Sequence, residues 1–158
     1  MTRVSLSLFL ALCAPAAFAC SFAQPIPVEF DAAQAKTGER APAAPMVSVE
    51  SIRRGNANDP FDSCGDTGVV VLSVPATRKT KGLAYTFEVI SGTADDVIFD
   101  PSPSFGFKSD GKYLFVFPWV DGADNAQEPL NLVVRVTAYR RSGLKGGSTD
   151  VAITDRGR

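Results

Sequence analysis

The 158 residues are 45% hydrophobic and 21% charged, and 16 basic against 17 acidic side chains leave a formal charge of −1; this balance fits one globular domain and excludes a disordered or membrane-embedded chain. There is no basic stripe of the kind phosphate contacts require, so nucleic acid is not an expected partner. The absence of histidine removes the usual general base, the Ser-His-Asp and Cys-His nucleophiles and every imidazole zinc site.

Arg3, the apolar run Val4 to Leu12 and the small residues of Ala17-Phe18-Ala19 have the order of a cleavable export signal, residues 1–19, with cleavage before Cys20. The apolar run is too short to span a bilayer. Ala17-Phe18-Ala19-Cys20 also reads as a degenerate lipobox, in which Cys20 would be acylated and anchor the chain, although Phe18 departs from that pattern. Cys13 leaves with the signal, so Cys20 and Cys64 remain. In an oxidising compartment they are expected to pair and to stabilise the fold by roughly 2–4 kcal/mol; lipidation would instead leave Cys64 single. The expected location is periplasmic or secreted, or the outer membrane if Cys20 carries lipid.

Residues 20–45, with Pro25, Pro27, Pro42 and Pro45, read as an extended lead-in or tether, with a helical turn possible over Ala32 to Lys36. From residue 46 to 158 short β-branched and aromatic runs alternate with Gly, Pro, Asn and Asp clusters, which predicts an all-β domain. Strands are expected over Val47 to Ile52, Val69 to Val74, Leu83 to Ile90, Val97 to Phe99, Tyr113 to Val120, Leu130 to Tyr139 and Ser148 to Thr154. Ser109-Asp110-Gly111 marks a tight turn. Tyr113 to Val120 is apolar on both faces, and Pro118, lacking a donor, points to an edge or bulge. Leu130, Leu132, Val134, Val136 and Ala138 are expected inward, with Asn131, Arg135 and Thr137 outward. About seven strands at this spacing suit an antiparallel β-sandwich.

Leu132-Val133-Val134-Arg135-Val136-Thr137-Ala138-Tyr139, followed by Ser142-Gly143 and Ser148, resembles the end of a fibronectin type III-like or related immunoglobulin-like domain. By strand rhythm the resemblance covers Met46 to Thr154, and by motif only the last two strands. Leu132 stands where the family has a corner tyrosine, and the second strand has no tryptophan. The resemblance implies an immunoglobulin-like fold and no activity. The chain also looks like exported bacterial proteins that carry such a sandwich behind a cysteine.

Asp66-Thr67-Gly68 matches the aspartic protease triplet, but Ser63-Cys64-Gly65 precedes it where that family has an apolar strand. Asp121, Asp124, Asn125 and Glu128, and likewise Asn56, Asn58, Asp59, Asp62 and Asp66, concentrate oxygen ligands without the alternating order of a calcium loop, so no metal and no cofactor is expected. The ladder Tyr113, Phe115, Phe117 and Trp119 has two readings: core packing, or an open aromatic face for a sugar or an apolar partner surface. The leading expectation is a non-enzymatic interaction or structural module of the bacterial envelope, with an envelope protein or glycan as partner and membrane contact only through a lipidated Cys20. A carbohydrate- or peptide-binding domain using the aromatic face is the alternative.

Overall fold

The period-two runs become strands in the computed structural model, which describes residues 22, 25–56, 65–92, 98–121 and 127–157. In chain order the strands are β1 (Ile26–Pro27), β2 (Ser48–Arg53), β3 (Thr67–Pro75), β4 (Ala84–Ser91), β5 (Ser104–Phe105), β6 (Phe107–Ser109), β7 (Lys112–Val120), β8 (Leu130–Tyr139) and β9 (Lys145–Asp155). All pairings are antiparallel. They form a five-stranded sheet, β1-β5-β4-β8-β9, and a four-stranded sheet, β2-β3-β7-β6. The architecture is an all-β sandwich.

Residues opposite one another in register share a face, so Val70, Leu72 and Val74 of β3 stand beside Phe117, Phe115 and Tyr113 of β7 on the inner side. Leu130, Leu132, Val134, Val136 and Ala138 of β8 meet them from the other sheet, all buried. Asn131 and Arg135 are exposed as their phase requires, whereas Thr137 is buried, its hydroxyl 2.8 Å from that of Ser148.

A further expectation is corrected. Ile98 and Phe99 enter the core but form no strand; Asp100 accepts the Ser102 N–H at 2.7 Å, turning the chain between the two prolines, and pairing begins at Ser104. The β6–β7 hairpin turns through Asp110 and Gly111, with φ of 45° and 75°, the left-handed pair that suits a two-residue turn. β6 covers β7 only over Lys112 to Leu114, so among the described residues Pro118 lies where β7 is an edge, the place a residue without an N–H can occupy.

The lead-in is strapped to the sandwich. Its one helical feature is a 3₁₀ turn, Ala32–Gln34, capped by Asp31, whose carboxylate accepts the Ala33 N–H. The strap lies along the β8–β9 hairpin. Asp31 N–H donates to the Arg141 carbonyl at 2.9 Å, Gly147 N–H to Pro42 at 3.0 Å, and the Thr149 hydroxyl to Pro45 at 2.6 Å. Phe30 stacks on Tyr139 with ring centroids 5.1 Å apart.

Glycine makes this approach possible. A Cβ at Gly146 would fall on the Pro42 carbonyl, and one at Gly147 on the Ala44 backbone. Gly146→Val is therefore expected to lift the strap. Trypsin cleavage after Arg40, an exposed strap residue, should accelerate by about tenfold or more as local opening becomes cheaper, while the core strands stay protected.

Candidate functional site

The aromatic ladder faces the core. Phe115, Phe117 and Trp119 are buried and Tyr113 packs partly buried against the same cluster, so these side chains form no open stacking face. Phe87 sits at the centre, its ring centroid 4.9 Å from Phe115 and 4.8 Å from Phe117, with Phe99 in turn 4.6 Å from Phe117. Gly68 lies opposite Trp119, and any Cβ there would overlap the indole. The glycine of the Asp66-Thr67-Gly68 triplet is thus a seat for tryptophan, and Asp66 lies in the exposed turn that opens β3.

The outer side of β7 is partly covered. Val116 is buried, and Pro25 and Pro27 line a cleft with Val116 and Pro118. Further back in the chain, the Arg53 guanidinium stands 6.0 Å from the Phe22 ring centroid. The lead-in covers this side at these residues.

At the same end of the sandwich is a buried ionic centre that the sequence reading did not find. Asp121 accepts from Arg54 Nη2 at 2.6 Å and Nε at 2.8 Å, from the Gly55 N–H at 2.6 Å and from Trp119 Nε1 at 3.2 Å. Arg54 also donates to Asp155 at 2.8 Å and to the Glu128 carbonyl at 2.8 Å. The Asp121 hydrogen bond, set against burial, holds the Arg54 guanidinium above its ordinary pKa. Both side chains are nearly solvent-free, 6% and 2% exposed. With its oxygens taken up in this way, Asp121 is a structural anion. Asp124, Asn125, Asn58, Asp59 and Asp62 lie outside the described residues, and no group of three metal-ligating side chains occurs among those described.

A bulge between Val49 and Ser51 sets Glu50 out of register, where its carboxylate accepts from Lys112 at 2.7 Å and from Ser73 at 2.5 Å. These hydrogen bonds, Lys112 first, hold its pKa below 4.5. A carboxylate depressed by folding stabilises the native state above its unfolded pKa and loses that contribution as pH falls through the folded one. The Tm difference between wild type and Glu50→Gln should therefore be full near neutral pH and shrink as pH drops below 4.5, as thermal unfolding at a series of pH values would show.

A cavity of about 500 Å³ opens at the opposite end, where Pro75, Leu83 and Ala138 meet Pro45 and Met46 of the strap. The turn after β3 forms its mouth and brings Arg78 and Lys79 to the rim. Thr80 fixes that turn, donating to the Pro75 carbonyl at 2.6 Å and accepting the Thr77 N–H at 2.8 Å. Tyr85 lines the cavity, and its buried hydroxyl has no hydrogen-bond partner among the described residues. Burial pushes its pKa up to about 12, so the group remains a neutral donor. No local pattern in the sequence announces this site, because its walls come from the strap, β3, β4 and β8.

No family model, no curated protein and no solved structure matches the chain. Among the described residues no helix is long and apolar enough to cross a membrane.

Proposed function

We propose that this chain is an exported, non-enzymatic interaction or structural module built on an immunoglobulin-like sandwich. The strand order supports the fold assignment. Lettering β2, β3, β4, β6, β7, β8 and β9 as A to G turns the two sheets into A-B-E-D and C-F-G, with β5 beside C, the immunoglobulin arrangement. The observation that carries the functional reading is the strap. Hydrogen bonds tie it to the β8–β9 hairpin, so the strap is held against the sandwich, which suits a part that presents a fixed surface to a partner.

Cys20 and Cys64 both lie outside the described residues, as do residues 1–19. Support for pairing the cysteines comes from their neighbours. Phe22, two residues after Cys20, meets Arg53; Gly65, next to Cys64, accepts the Asn56 N–H. Both flanks thus reach the same short stretch of chain, and each residue spans at most roughly 3.3–3.6 Å.

Intact and reduced masses of the protein taken from a bacterial envelope fraction test the export reading. A chain beginning at Cys20 that gains two hydrogens on reduction is the expected result. An acyl adduct on Cys20 would make it a membrane-anchored module with Cys64 free, and an uncleaved chain in the cytosolic fraction would overturn the reading.

A further inference from the structure

We propose that the end cavity beside Tyr85 binds a small anionic amphiphile: an apolar chain or ring system with one carboxylate, phosphate or sulfate at one end. Two observations converge on this class. The walls are predominantly apolar, with Leu83, Ala138, Pro45 and Pro75 among them, and the volume of about 500 Å³ falls in the range of small-molecule sites. At ~30 Å³ per water-sized group this is room for roughly fifteen such groups.

The rim carries one sign of charge. Arg78 and Lys79 line the mouth, Lys81 follows in the same turn, all three are exposed, and among the described residues no acidic side chain lines the cavity. A cationic rim over an apolar interior selects a head group that stays at the surface as an anion while the body is buried. Met46 is 72% exposed beside it and offers an adaptable thioether to a chain of variable shape.

The test uses decanoate below its micelle concentration, with decyltrimethylammonium as the cationic counterpart, titrated calorimetrically into the purified protein. Saturable one-to-one binding of decanoate, weakened about tenfold or more by Arg78→Glu with Lys79→Glu, is expected; both residues are exposed, and unchanged thermal unfolding would show that the variant folds. Absence of decanoate binding, insensitivity to the charge reversal, or equal affinity for the cationic amphiphile would each overturn the proposal.

Discussion

Asp121→Ala should lower the unfolding free energy by roughly 3–5 kcal/mol, because removing one member of a buried ion pair leaves the other charge in the interior without its counterion. At a few degrees per kcal/mol for a domain of this size, that corresponds to a Tm lower by about 10–20 °C. Asp155 remains as an acceptor for Arg54 Nη1, but its side chain is 31% exposed. The Gly55 N–H and Trp119 Nε1 lose their acceptor as well. Replacing both ions, as in Arg54→Met with Asp121→Leu, should cost clearly less than Asp121→Ala, since no unpaired charge is left behind. Equilibrium urea unfolding of the two variants decides this; equal losses would mean that the pair is uncoupled.

Phe87→Ala should cost a comparable amount, about 3–5 kcal/mol, for a cavity opened in the middle of the ring cluster. Phe87 is 2% exposed and holds rings from both sides, Phe99, Phe115 and Phe117, so neighbours on the opposed sheet cannot all move in to fill the space. Phe87→Leu keeps much of the volume but loses the edge-to-face contacts, and should cost on the order of 1 kcal/mol. Val120→Ala, at a side chain 69% exposed, is the internal control, with a change within about 0.5 kcal/mol. Denaturant midpoints for the three variants give the ranking directly.

How much of this was legible in the sequence depends on whether the signal is local. Leu130 to Tyr139 is found at both ends as expected, because strict alternation with a polar outer face has only one reading. Val97 to Phe99 was misjudged because a short apolar run before a proline does not distinguish a strand from a loop that drops side chains into the core. Pro118 signalled an edge correctly, since a missing donor is a local fact. The glycines near Ser142 signalled a turn, and Gly143 has the positive φ that supports it. Gly146 and Gly147 were legible only as turn residues, whereas they are the floor on which the strap lies. The site suffered most. Arg54 and Asp121 are separated by 67 positions, and no periodicity links a cation in one loop to an anion in another. The lone tryptophan ladder, read from spacing, left core and binding face open, and only the opposed sheet decides between them.

The strap also sets an order of events. Arg140 meets Arg40, Ser142 meets Glu39 and Thr149 meets Pro45 across separations of 100 to 104 residues. The partners of this segment therefore leave the ribosome 100 to 104 residues after it. Contacts so distant along the chain close slowly, because the loop between them must be ordered first. Residues 39–45 cannot find their berth until the β8–β9 hairpin has been made, so the nascent chain carries this stretch undocked through the synthesis of both sheets.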